Sequence, residues 1–178
     1  MIDGEIDDEE VLAALEALSE KIGGREALGT VANAIAEEIR LGFEDSTDPW
    51  GTPWKALKFR AGQPLKDTGV LANSITHNIT SDTSAEVGTN ICYAIVHQFG
   101  ATVKADQPKG KQSLCGYVTK GAKRLAFSAG GSIIHAKSVT IPARPFMPIR
   151  DGSADLPETW RGSILEALAG ELGMDTTS

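Results

Sequence analysis

The side chains in this chain that could do chemistry are few: one Asp-Thr-Gly triplet at Asp67-Thr68-Gly69, the cysteines Cys92 and Cys115, and three histidines. An Asp-Thr-Gly carboxylate works with a second one that shares its proton, so that one activates water while the other polarises a carbonyl. Here a single triplet is present, and it follows Leu65-Lys66 instead of an apolar strand. A second carboxylate would have to come from a symmetric partner, and a turn or helix cap is the plainer reading of Asp67 and Thr68. Cys92 with His97, or Cys115 with His135, would supply thiolate and imidazole for nucleophilic catalysis, or half of a zinc site. Their spacing works against this, because five positions along a helix put Cys92 and His97 on nearly opposite faces. No paired cysteine or histidine spacing of a structural zinc site is present, and residues 121–131 lack the spacing of a phosphate loop. His97 reads as a packed ring bonded to backbone. The expectation is a protein with no catalytic residue, no metal and no cofactor.

A chain of 178 residues suits one core, since chains divide into separate cores only well beyond this length. With 41% hydrophobic and 23% charged residues it can bury that core. Two cysteines make no disulfide framework and fit better as buried thiols in a reducing compartment. No basic segment leads into an apolar stretch at the start, and no apolar run approaches the ~18 residues of a membrane span. A cytosolic or packaged protein with no membrane partner is expected. The net charge of −7 hides an asymmetry. Residues 1–48 hold fourteen acidic and three basic side chains, a net of −11, whereas residues 101–138 hold seven basic side chains and only Asp106 against them, a net of +6. Such separation steers complementary surfaces together, within a screening length of about 8 Å at physiological salt. Two solvated faces is the bland alternative.

The elements that must position these residues follow from periodicity. Asp7 and Asp8 can cap a helix with Val11, Leu12, Leu15, Leu18 and Ile22 on one face, stopped at Gly23-Gly24. A second helix carries Leu28, Val31, Ile35 and Ile39 and ends near Gly42, forming a helical hairpin. Its apolar stripes need covering by each other, by the sheet that follows, or by a neighbouring subunit. A proline- and tryptophan-rich loop follows, and Asp67 or Thr68 can cap a short helical turn through Ser74. Then the period becomes two: Ile75, His77 and Ile79 alternate with polar residues, Ser81 to Ser84 can turn, and Ala85-Glu86-Val87-Gly88 begins a second strand. Tyr93, Val96 and Phe99 fall at helical spacing with Gly100 as the stop, which predicts a short central helix. Tyr117-Val118-Thr119 and Leu125-Ala126-Phe127 read as strands of a long basic hairpin over 101–138, with a tip rich in glycine and lysine. Ser138-Val139-Thr140-Ile141 is a strand ended by Pro142. After Ser153 a closing helix carries Leu156, Trp160, Ile164, Leu168 and Leu172, with Pro157 in its first turn. The fold class is therefore α+β: an antiparallel sheet, an N-terminal helical pair, a short central helix, the basic hairpin and a C-terminal helix. Residues 1–178 make one domain, divided into the pair (1–43), the α+β core (44–150) and the closing helix (151–178).

Several short motifs recur in a telling order. Asp48-Pro49-Trp50-Gly51-Thr52-Pro53-Trp54 comes first, then Asp67-Thr68-Gly69-Val70-Leu71 with Ser74-Ile75, then Val87-Gly88-Thr89-Asn90. Tyr93-Ala94-Ile95-Val96-His97-Gln98-Phe99-Gly100 follows, and Ile141-Pro142-Ala143-Arg144-Pro145-Phe146 closes the series. In this order the chain resembles the Mu-like phage virion morphogenesis (tail completion) family, from roughly the first helix to about Ile149. The resemblance implies a small subunit of head or tail completion at the neck of a phage or prophage particle. It implies a homo-oligomeric ring with no enzymatic activity, located in the virion and, during assembly, in the host cytoplasm. Partners would be further copies of the chain, head-connector or tail-tube proteins, and DNA in passing.

Read physically, these motifs are scaffold devices. Trp50 and Trp54 clamp a loop to the core through large apolar area, and Gly51, Gly69, Gly88 and Gly100 release the backbone at turns. Pro142 and Pro145 stiffen the exit strand beside Phe146. Arg144 is a candidate partner contact, since arginine and aromatics favour interface cores, or else a salt bridge that fixes the turn. Lys109, Lys111, Lys120, Lys123 and Arg124 of the basic hairpin are the other candidate contacts. Facing nucleic acid is an alternative use for them, and a hydrolase built on Asp67 is the remaining rival.

Overall fold

Apolar residues recurring every three to four positions produce the first two elements. In the computed structural model, which describes residues 9–58, 61–105, 124–129, 132–150 and 153–172, they are α1 (Glu9–Ile22) and α2 (Gly24–Asp45). Gly23 separates them at φ 99, a backbone conformation that a side chain would strain. The expected caps Asp7 and Asp8 lie outside the described residues. Helix α2 runs three residues past the end expected at Gly42, and Phe43 explains why. That ring is 1% exposed, so the last turn stays wound to carry it into the core, and Ser46 then closes the helix in the left-handed region with its N–H on the Gly42 carbonyl.

The closing helix α5 (Glu158–Leu172) begins just after Pro157, whose carbonyl accepts from the N–H groups of Trp160 and Arg161. Trp160, Ile164 and Leu168 of its four-residue repeat are buried, and so is Leu156, which with Pro157 precedes the helix instead of lying in its first turn. Val11, Leu15 and Leu18 of α1 and the stripe of α2 are covered where α1, α2 and α5 pack together, whereas Leu12, expected on the same face, is exposed; α2 packs in addition on the β1–β2 hairpin (Thr76–Ser81 and Ser84–Gly88). The closing helix as a cover was not foreseen, because four-residue spacing shows a stripe without showing what it meets.

The chain is α+β, as expected, but its strands form four separate antiparallel pairs and no continuous sheet among the described residues. Beyond β1–β2, β3 (Ala101–Lys104) pairs with β6 (Ser138–Ile141), and β4 (Leu125–Ala129) with β5 (Ser132–Ala136). Two-residue strands β7 (Ile149–Arg150) and β8 (Ser153–Ala154) form the last pair. The expected strand at Tyr117-Val118-Thr119 lies outside the described residues. Leu125-Ala126-Phe127 does begin a strand, but its partner is 132–136, a segment of the expected hairpin to which no strand was assigned from sequence. Two short helices complete the set, α3 (Val70–Asn73) and α4 (Ala94–Phe99).

One hydrophobic cluster joins α1, α2, α5, Trp54, α3, Ile75, Ala94 and Phe146, and among the described side chains none of β3, β4, β5 or β6 belongs to it. Ile164 lies at its centre and is fully buried. Ile164→Ala should lower stability by roughly 2–5 kcal/mol through lost transfer energy and a residual cavity. Leu41→Ala, at a position 49% exposed, should change it by less than about 0.5 kcal/mol. Urea unfolding followed by circular dichroism measures both, and equal losses would contradict this placement of the core.

Candidate functional site

The residues of the three longest motifs converge on one stretch of backbone, 143–147. The tryptophan loop reaches it first. Asp48 accepts the N–H groups of Trp50 and Thr52 on one carboxylate oxygen, at 3.0 and 2.8 Å, which fixes the turn, and Trp54 N–H returns to the Ser46 carbonyl. This delivers the Trp54 ring edge-on to Phe43, 5.5 Å between centroids, and its Nε1–H donates to the Pro145 carbonyl at 2.7 Å. Phe146 packs on the other side of Phe43 at 5.3 Å. Trp50 is not clamped to the core. It is half-buried, with the Arg150 guanidinium 4.0 Å over its ring.

Helix α4 supplies the second set of ties. Gln98 is 4% exposed, and its side-chain carbonyl accepts the N–H groups of Phe146 at 2.9 Å and Met147 at 3.0 Å. Its Nε2 donates to the Met147 carbonyl at 3.1 Å. The Arg144 N–H donates to the His97 carbonyl at 2.7 Å. Gly100, at φ +72, lets the chain pass so close that an added Cβ would lie 2.8 Å from Ala143 N and 3.0 Å from the Ile141 carbonyl.

The Arg144 side chain is also spent inward. It is 6% exposed, and its guanidinium donates to the Lys55 carbonyl at 3.0 and 2.8 Å and more weakly to that of Ala56. A buried guanidinium committed to backbone fixes a turn and presents no surface to a partner, so the expected contact role does not fit its placement. Among the other candidate contacts, Arg124 is exposed, and Lys109, Lys111, Lys120 and Lys123 lie outside the described residues.

The chemical candidates come together only in part. Leu65, Asp67, Thr68, Gly69, Val70, Leu71, Tyr93 and His97 line an open cleft of about 290 Å³. Asp67 is the one carboxylate among them, so the shared-proton pair of an aspartic protease is not assembled there. The N-cap of α3 is Gly69, at φ 76 and with no side-chain cap bond, so neither Asp67 nor Thr68 caps it. Gly88 is no turn residue either; it sits inside β2 opposite Thr76. Cys92 is exposed and disulfide-bonded, which corrects the expectation of buried free thiols; the sequence's other cysteine, Cys115, is outside the described residues. Among the described residues no three His, Cys, Asp or Glu side chains gather as metal ligands. None of their helices is long and apolar enough to cross a membrane.

His97 is half-buried, edge-on to Tyr93 at 5.7 Å, and its Nδ1 has no hydrogen-bond partner among the described residues, contrary to the backbone-bonded ring expected. Burial first, and then the Arg144 charge, hold its pKa below the ordinary histidine value. Tyr93 and Phe99, read as the buried stripe of α4, are 36% and 48% exposed, and Ile95 is 57% exposed. Val96, the third residue of that stripe, is buried as expected, and its buried companions are Ala94 and Gln98.

A family model described as the phage virion morphogenesis family matches residues 6–169. The chain belongs to that family. Among curated relatives, Mu-like prophage FluMu G protein 2 of Haemophilus influenzae is 34% identical over 154 residues, covering 83% of this chain and 83% of the relative. No solved structure matches. The family resemblance read from the motifs thus has a direct counterpart in the comparisons. What motif reading missed is Gln98, the buried residue of the His97-Gln98-Phe99-Gly100 run. Its signal was a polar amide between residues that alternate in exposure, which a helical stripe does not reveal.

Two measurements probe this hub. Gln98→Leu keeps the volume but orphans two backbone donors at about 1–3 kcal/mol each, so stability should fall by about 3 kcal/mol in chemical unfolding; a loss below about 1 kcal/mol would refute the assigned role. For His97, the lowered native pKa means that the unfolded chain binds a proton at higher pH than the native state does. Stability is therefore full above about pH 6.5 and declines as pH falls through and below it. Thermal melts across this range should show a shallower decline in His97→Gln than in the wild type. Equal slopes would remove His97 from the acid response.

Proposed function

We propose that this chain is a non-enzymatic structural subunit of a tailed-phage or prophage particle, acting in tail completion or head–tail joining as a ring at the neck. Membership of the phage virion morphogenesis family carries the reading. The use of the motif residues supports it: Trp54, Gln98, Gly100 and Arg144 are all committed to holding the backbone around 143–147, which is scaffold work. The subunits meet head to tail, an acidic helical face against a neighbour's basic hairpin, and the completed ring contacts connector or tail-tube proteins and, in passing, DNA. It resides in the virion and assembles in the host cytoplasm.

Interrupting the gene in an inducible phage or prophage and imaging the lysate by electron microscopy tests the function. Filled heads separate from tails, or tails lacking a finished end, are expected, with recovery when the gene is supplied in trans. Normal, joined and infectious particles from the interrupted phage would overturn it.

A further inference from the structure

The β4–β5 ribbon stands apart from the core. Among the described residues its two strands make their substantial contacts only with each other, and none of its described side chains joins the hydrophobic cluster. An isolated two-stranded ribbon is marginal in water and needs a hydrophobic face covered by something else. Alternation along β5 shows which face is uncovered. Ile133, His135 and Lys137 are exposed, whereas Ile134 and Ala136 between them are half-buried. Ile133 is 72% exposed, the most exposed of the large hydrophobic residues described. Arg124 and Lys137 flank the last paired residues, Leu125 and Ala136, so the base of this face is basic and its outer part apolar. No acidic residue occurs from Arg124 through Ile141.

The complementary pattern lies on the outer side of α1. Leu12 is 43% exposed, and Glu16 and Glu20 follow it at one and two helical turns, both exposed and with no ion-pair partner among the described residues. Spacing agrees as well as charge. From Leu12 to Glu16 to Glu20 the helix rises about 6 Å and about 12 Å. From Ile133 to His135 to Lys137 an extended strand covers about 7 Å and about 13 Å.

We propose that the β4–β5 ribbon of one copy lies along the outer face of α1 in a second copy, with Ile133 against Leu12 and with His135, Lys137 and Arg124 facing Glu16 and Glu20. This rests on the ring reading above and gives it a contact. Donor ribbon and acceptor helix are different surfaces of one chain, so the contact is heterologous, the kind that closes rings when the rotation permits. Charge complementarity favours this occupant. A nucleic acid would satisfy the cations but leave Ile133 uncovered, and an acidic partner of another kind would leave the α1 face unused.

The test is self-association of the full chain, followed by light scattering on gel filtration across a concentration series. Arg124→Glu with Lys137→Glu, and separately Glu16→Lys with Glu20→Lys, should each weaken association roughly tenfold or more, because like charges then face each other. All four changes in one chain should restore it substantially, and Ile133→Asp should weaken it with either charge arrangement. Circular dichroism identifies any variant that fails to fold. A photo-crosslinking residue at position 133 in an otherwise wild-type chain keeps the question open to test in that case, and its crosslinks should map to residues 9–22 of another copy. An oligomer indifferent to these changes, a charge swap without recovery, or crosslinks to the Tyr93, Ile95 and Phe99 face would overturn the ribbon contact and leave the ring standing. Retention of DNA on filters that is lost in Arg124→Glu with Lys137→Glu, while association is unchanged, would assign the ribbon to nucleic acid instead. A wild-type chain that stays monomeric at every concentration would count against the ring itself.

Discussion

The side-chain amide of Gln98 does for residues 146 and 147 what a neighbouring strand would do, accepting two backbone N–H groups and donating to a carbonyl. Without it these polar groups would be buried unpaired, at about 1–3 kcal/mol each, a large share of the roughly 5–15 kcal/mol by which small proteins are stable. Much else follows from the need to keep that amide in place. Helix α4 must hold its register, so Gly100 ends it in a conformation that brings the chain against Ala143, and the His97 carbonyl is taken by the Arg144 N–H. Segment 143–147 must be held from the other side too, which the Trp54 indole and the Arg144 guanidinium do. Phe43 then fills the space between Trp54 and Phe146 and ties the hub to the helical core.

Because the inward face of α4 is used up in this way, its outward residues Ile95 and Phe99 and its N-cap Tyr93 are left to solvent, and Tyr93 lines the cleft together with the exposed Val70. The same division runs through the molecule. Helices α1, α2 and α5 with β1 and β2 account for the packing between elements, while β3 with β6 and β4 with β5 are paired strands outside the cluster. A body that owes nothing to the ribbons can fold before they find anything to cover them.

Much of this was legible in the residues. Helical stripes in α1, α2 and α5 and the two-residue alternation of Thr76–Ser81 reflect burial on one side of a regular element, and periodicity records such burial directly. The order of the motifs marked the family, and Trp54, Gln98, Gly100, Arg144 and Phe146 from three of them meet at one hub. Three things were not legible, for physical reasons. Helix α4 is too short for its stripe to be distinguished from other spacings, so Tyr93 and Phe99 were assigned to the wrong face. Arg144 looks like an interface arginine by composition, and only tertiary structure shows two backbone carbonyls waiting for it. The pairing of 125–129 with 132–136 depends on a turn between them, and residues 132–136 do not alternate in polarity, since Ile133 and Ile134 are adjacent.

That adjacency bears on how assembly is controlled. Two neighbouring isoleucines on a strand point to opposite faces, so one can serve the chain's own ribbon while the other serves a partner. Exposed ion pairs contribute only about 0–1 kcal/mol each, and so the cations at the base of the ribbon cannot hold a ring together alone. In the proposed contact they supply orientation and encounter rate, drawing the ribbon to an acidic helix and fixing its register. Ile133 would supply the apolar burial that makes the encounter last, at about 25 cal/mol per Å² removed from water. Each such contact is modest, so a misplaced subunit could leave. In the proposed ring every subunit is held at two places, and closure would turn modest contacts into a durable structure.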